Sequence, residues 1–307
     1  MTAIAEFFFD CKCIVAFPLI CFAILSISLF SSIKIYFGFK ELVVTGEEVN
    51  DLFNPESENT FGCLKNEYLI ASDENGNNIG MFKCNGHRVE KIPYKAIDTR
   101  FAGKVKARNP QQELAIDMLY DEDTTVKIIA GKFGTGKDFL MCSAAIDLLE
   151  HDKFEKIVYV RNNIEVKNSK PIGHLPGSYN EKLLPFAMPL ADHLGGVDGL
   201  ELMIGHGKIE IVHLGFIRGR DIKNSIIICS EAENMTKEHI QLLLGRVGEG
   251  SSLWINGDFK QCDAEVFRQN SGLMVAVDKL KGHPRFGYVK LLKTERSETA
   301  AMADLLD

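Results

Sequence analysis

A short β-branched run that breaks off into a glycine-rich turn limits this chain more than any other feature. Residues 126–130 read VKIIA, followed at once by Gly131-Lys132-Phe133-Gly134-Thr135-Gly136-Lys137-Asp138. The spacing is G-x-x-x-x-G-K, with Asp138 where Ser or Thr is usual. Glycines let a backbone wrap closely round a phosphate with its N–H groups turned inward. The helix predicted over Phe139–Leu149 presents the positive end of its dipole to the same anion. Lys137 is placed to reach the outer phosphates. A bare glycine turn at a helix start would read alike, but the buried strand before it and the helix after it favour a phosphate-binding loop.

Six apolar runs alternate with longer helical stretches: Val126–Ala130, Ile157–Val160, Ile209–Leu214, Ser225–Cys229, Leu253–Asn256 and Tyr288–Leu292. Near-continuous hydrophobic strands separated by helices predict an α/β domain whose mostly parallel sheet is covered on both faces. Ligands bind such sheets at the carboxyl ends of the strands. SIIICSEAEN delivers Ser230 and Glu231 there, and Glu231 is the candidate that positions or activates a water. The same segment also reads as a helix cap, with Ser230 as the cap and Glu233 in its capping box. LWINGDFKQCD sets Asp258, Gln261 and Asp263 just past another strand, where polar groups can sense a terminal phosphate. Gly257-Asp258 is equally an ordinary turn.

Upstream, residues 35–105 read as a small β-rich module. EYLIAS and Ile79–Cys84 are predicted strands around the turn DENGNN, and Asn85-Gly86 signals a hairpin. His87 is isolated and reads as a surface residue. Before the module, Cys13–Ser32 is uncharged, CIVAFPLICFAILSISLFSS, between Lys12 and Lys34. A stretch of about 20 apolar residues is long enough to cross a bilayer. It is too long for a signal-peptide core and no A-x-A-like site follows. Three readings stay open for residues 1–34: a transmembrane anchor through residues 13–32, a buried helix, or an extension outside the working protein.

The 307-residue chain has a formal net charge of −7, which excludes a broadly basic nucleic-acid binder. Phosphate contacts to RNA would need local clusters such as Lys104, Lys106 and Arg108, or Lys279 and Lys281. The chain has eight cysteines. They form no C-x-x-C pair and no zinc-like spacing, which predicts reduced thiols in the cytoplasm.

The chain resembles the PhoH-like family over roughly residues 35–307. The motifs that carry this are RNPQQELAIDML, GKFGTGKD, PIGHLPGSYNEKLLPFAMPLADHL, GFIRGRDI, IIICSEAEN, INGDFKQCD and KTERSETAAMADLL, in that order. The resemblance implies a single RecA-like P-loop domain over residues 106–307, related to superfamily one helicases. It implies binding of ATP with Mg2+, frequent ATPase activity, action on or with single-stranded RNA, and homo-oligomerisation. Residue by residue, it implies that Gln112 reads adenine and that Gly131, Lys132, Phe133, Gly134, Thr135, Gly136, Lys137 and Asp138 cradle phosphate. Glu231 is then the catalytic acid, Asp258 and Gln261 the γ-phosphate sensors, and Arg296, Arg218 or Arg220 the arginine finger. The nearest branch of the family carries a PIN ribonuclease domain before a connector like residues 35–105. The hydrophobic segment stands in that place here, so no ribonuclease activity is implied.

Four positions depart from the family pattern: Asp138 for Thr, Ser230 for Asp, Glu233 for Gln, and Asn162 after Arg161 for Pro. The first two are the magnesium-ligand positions, and their residue types look exchanged. One hydroxyl and one carboxylate are still supplied. The expectation is Mg-dependent ATP binding with slow hydrolysis; the alternative is a nucleotide-binding scaffold or sensor with little or none.

Overall fold

The computed structural model describes residues 36–161, 183–259, 271–295 and Met302. The described residues from Phe37 onward fall in one compact unit. The apolar segment 13–32 lies outside the described residues. Among the described residues no helix is long and apolar enough to cross a membrane.

The first part of the larger unit is the expected β-rich module. Strands β1 (Phe39–Val43), β2 (Tyr68–Ser72), β3 (Asn78–Cys84) and β4 (Val89–Lys91) form one sheet in that order. β2, β3 and β4 are antiparallel, whereas β1 runs parallel to β2. The parallel pairing requires a crossover, which holds helix α1 (Gly46–Phe53). The DENGNN turn closes because the Asp73 carboxylate accepts the Asn75 and Asn77 N–H groups at 2.9 and 2.7 Å. In the β3–β4 turn Asn85 Oδ1 accepts from the backbone of His87 and Arg88, and His87 is exposed, as its isolation predicts. A hairpin of β5 (Ile97–Thr99) and β6 (Gly103–Val105) completes the module.

All six apolar runs are strands of a single sheet. After helix α2 (Pro110–Leu119) come β7 (Val126–Gly131), helix α3 (Lys137–Glu150) and β8 (Lys156–Arg161). Helix α4 (Val197–Gly205), β9 (Ile209–His213), β10 (Ser225–Ser230) and helix α5 (Lys237–Leu244) follow. β11 (Ser252–Gly257), helix α6 (Gly272–Leu280) and β12 (Phe286–Leu291) end the described fold. The strand order is β12-β7-β11-β10-β8-β9 and every pairing is parallel. Both faces are covered, since neighbours in the pleat, such as Ile128 with Ile129 and Ile227 with Ile228, are all fully buried.

The module and this sheet share a core. Phe39, Tyr68, Met81 and Ile97 belong to the same buried cluster as Leu114, Ile129, Leu140 and Trp254. Polar links cross the same boundary: the Tyr68 hydroxyl donates to Asp117 at 2.9 Å, Lys95 pairs with Asp117 at 2.9 Å, and Lys83 pairs with Asp121. Gly38 marks a close crossing. Its φ is +82° and a Cβ there would lie 1.8 Å from the Tyr288 carbonyl oxygen.

Candidate functional site

The register aligns the carboxyl ends of five strands. Gly131 of β7 is level with Leu291 of β12, Ala130 with Gly257 of β11, and Ser230 of β10 with Arg161 of β8. The loop Gly131–Gly136 leaves this edge and turns into α3. Gly134 and Gly136 adopt φ of +74° and +89°, a conformation that side-chain-bearing residues rarely take. A Cβ on Gly131 would meet the Leu291 carbonyl oxygen at 2.7 Å. No side chain caps α3 at Gly136, so its first-turn N–H groups keep their anion-binding character. The loop folds on itself: Lys137 Nζ and Thr135 Oγ1 both donate to the Lys132 carbonyl, at 3.0 and 2.9 Å.

Two braces hold the loop from outside. Gln112 is buried, its Nε2 donating to the Thr135 carbonyl at 3.0 Å and its Oε1 accepting from Arg108 N–H at 2.9 Å. The residue expected to read adenine thus has both ends of its amide engaged with the chain itself. From the other side Glu295 N–H donates to the Gly134 carbonyl at 2.9 Å. Glu295 in turn accepts from Asn109 Nδ2 at 2.8 Å, which is the leading cause holding its carboxyl below the usual range.

The acidic wall comes from β10 and β11. Asp138 Oδ1 accepts from Ser230 Oγ at 3.3 Å and from Asn256 Nδ2 at 2.8 Å, so the two exchanged positions meet. Asn256 Oδ1 accepts the Glu231 N–H at 3.2 Å. Glu231 itself sits at φ +57°, and its carboxylate pairs with the Arg161 guanidinium. Glu233 is buried, and burial pushes its carboxyl up to about 7 although it accepts the Asp258 N–H at 3.1 Å. Phe133, Gly134, Gly136, Lys137, Asp138, Phe139, Glu231, Glu233 and Asn256 surround one pocket of about 300 Å³. Larger cavities, of about 590 and 610 Å³, open at the β9 edge and at the amino ends of β7 and β11. Chemistry rather than size locates the site.

Several expected residues fall elsewhere. Gln261 and Arg296 lie outside the described residues. Arg220 forms a two-pronged ion pair with Glu210 of β9, at 2.7 and 2.9 Å, and Arg218 is exposed on the following loop. β9 is the far edge strand, four places from β7, or about 19 Å at the usual strand spacing. Ser230 ends its strand instead of capping a helix; the cap of α5 is Thr236. Asn256 and Arg161 were not singled out in the sequence, although each is a polar residue ending a buried apolar run.

Among the described residues no cluster of three or more His, Cys, Asp or Glu could hold a metal ion. Mg2+ needs no such cluster, since it takes one or two protein oxygens plus phosphates and waters. Asp138 and Ser230 fit that role by chemistry and proximity.

The PhoH-like protein family matches residues 104–304. The chain belongs to the PhoH-like family. It is 32% identical over 295 residues to Protein PhoH2 of Bacillus subtilis, an alignment covering 89% of this chain and 65% of that protein. A PhoH-like protein from the same organism is 34% identical over 180 residues, covering 58% of this chain and 56% of that protein. The chain therefore spans less than two thirds of the length of these PhoH-like relatives. A large terminase from the thermophilic bacteriophage D6E aligns over 65% of this chain and 50% of its own, with a TM-score of 0.38 and 12% identity, and adds nothing to the family assignment.

Proposed function

We propose that this chain binds ATP with Mg2+ in the loop pocket and hydrolyses it slowly. One observation carries the reading: Lys137, Asp138 and Glu231 all border the same pocket, and the buried Ser230 hydroxyl reaches Asp138 from behind it at 3.3 Å. Backbone N–H groups and Lys137 would hold the phosphates, while Asp138 and Ser230 would hold the metal, which neutralises charge developing on them. A water oxygen bonds to the γ-phosphorus as the bond to the bridging oxygen breaks, giving ADP and phosphate, and the water's proton passes to the Glu231 carboxylate. Slow turnover is expected because a carboxylate in the loop places negative charge beside the phosphates.

Single-stranded RNA is the proposed polymer partner. Its support is the resemblance plus Lys104, Lys106 and Arg108, exposed at alternate positions beside the loop brace. Lys279 and Lys281 offer less, since both lie against Asp278. Cytoplasmic location, tethering through residues 13–32 and homo-oligomerisation complete the proposal on hydropathy and resemblance. Equilibrium ATP binding with and without Mg2+, then phosphate release with and without RNA, tests it. Tight Mg-dependent binding with slow release is expected. Absence of nucleotide binding would refute the reading, and binding without any release would leave a nucleotide sensor.

A further inference from the structure

We infer that Arg161 is a positioning residue for Glu231, an inference that rests on the ATP-hydrolysis reading above. Glu231 is held in an uncommon backbone conformation, φ +57° and ψ +46°, which a non-glycine residue keeps only when its surroundings enforce it. Two contacts enforce it. Asn256 Oδ1 fixes the backbone N–H at 3.2 Å, and the Arg161 guanidinium binds the Oε1 side of the carboxylate.

Arg161 is itself fixed. It ends β8 directly beside Ser230, its side chain is only 14% exposed, and its Nη1 donates to the Phe186 carbonyl at 3.3 Å. The guanidinium also lies 5.9 Å from the centroid of the Phe186 ring. Glu231 by contrast is 50% exposed on the pocket. A half-exposed carboxylate tied by one oxygen to an anchored cation keeps its second oxygen for a water. A surface ion pair would have two exposed partners and no anchoring on one side. β8 flanks β10 on the side away from β7, so Arg161 grips Glu231 from behind and does not reach into the loop.

The test is a double-mutant cycle of Arg161→Gln and Glu231→Gln in the full chain, read as Kd for MgATP and as single-turnover hydrolysis rate. Arg161→Gln is expected to leave Kd within about 2-fold and to slow hydrolysis about 10- to 100-fold, the scale of a carboxylate misplaced by an ångström. Arg161→Lys should recover part of that rate. In the Glu231→Gln background Arg161→Gln should change the rate little further, because the two act as a unit. Three results would overturn the inference: an unchanged rate in Arg161→Gln, a full additional loss in the Glu231→Gln background, or parallel weakening of Kd and rate. If wild-type protein binds MgATP but releases no phosphate, the hydrolysis reading falls and this inference with it. A wild-type rate that Arg161→Gln leaves intact removes this inference alone.

Discussion

The exchanged pair can be tested by swapping it back. In Asp138→Thr, the Ser230 hydroxyl and the Asn256 amide lose a shared charged acceptor that they reach at 3.3 and 2.8 Å. Hydrogen bonds to a charged group contribute about 1.5–3 kcal/mol, so this change should cost that order in stability. Ser230→Asp alone sets a second carboxylate near the first. At a separation of about 3.3 Å and an effective dielectric of about 20, the repulsion is about 5 kcal/mol. Rotation of the new side chain toward solvent should bring the observed penalty to about 2–3 kcal/mol, the usual ceiling for coupled neighbours. The double variant restores one carboxylate and one hydroxyl, so it should recover most of both losses. Urea unfolding of the four proteins without nucleotide gives the stability cycle, and Mg2+ titration at fixed ATP gives the metal cycle. Each single variant should weaken Mg2+ binding and the pair should regain it. Strictly additive effects in both cycles would refute the exchange and leave two independent losses of function.

Lys137→Ala should weaken ATP binding at least about 10-fold, the value of a lost charge-assisted hydrogen bond, with unfolding midpoint unchanged. Unaltered affinity by fluorescence titration would end the phosphate-loop reading. Gln112→Ala leaves the Thr135 carbonyl and Arg108 N–H without their buried partner, so stability should fall by about 1–3 kcal/mol, and ATP and GTP affinities should change together because the brace touches no base. A selective loss of ATP affinity would instead support adenine reading. Glu233 has its carboxyl raised to about 7 by burial, against 4.5 for the unburied group. The folded protein keeps this proton where the unfolded chain has released it, so the stability it contributes is present below pH 4.5 and lost as pH rises to 7. The full span is about 3 kcal/mol. Glu233→Gln should therefore gain stability relative to wild type across that interval, read from urea unfolding at several pH values; a constant difference would contradict the assignment.

The parallel sheet was legible because burial on both faces writes strands as unbroken apolar runs, and all six of those runs are strands. The loop was legible because its glycines are required, Gly134 and Gly136 by their backbone angles and Gly131 by a close approach to Leu291. β1 was not, because in FKELV only Phe39 is buried and the strand pairs in parallel with one 25 or more residues away. Lys127 is the one charged residue of VKIIA, and it is buried, donates to the Leu119 carbonyl and lies 5.2 Å from the Trp254 ring centroid. No local pattern reports such a partner. In the candidate site, residue types pointed to Asp138 and Glu231 and the family resemblance to Ser230, whereas the contacts of Arg161 and Asn256 run between strands and became visible only with the strand order.

Helix α2 explains why the change of pattern near residue 105 does not separate two bodies. Its amino end carries Asn109 and Gln112, which brace the phosphate loop through Glu295 and Thr135. Near its carboxyl end Asp117 receives the Tyr68 hydroxyl and Lys95, and Asp121 just beyond receives Lys83, all three donors from the β-rich module. Ten helical residues span about 15 Å, so one rigid rod joins the loop to the module. A loop that opens to admit phosphate must either move that rod or break its braces. Moving the rod would disturb the buried Tyr68–Asp117 contact, whereas breaking the brace costs one amide bond at Gln112 and one backbone bond at Glu295. The braces are the weaker links, so nucleotide entry should release Gln112 and Glu295 while the module stays fixed on α2.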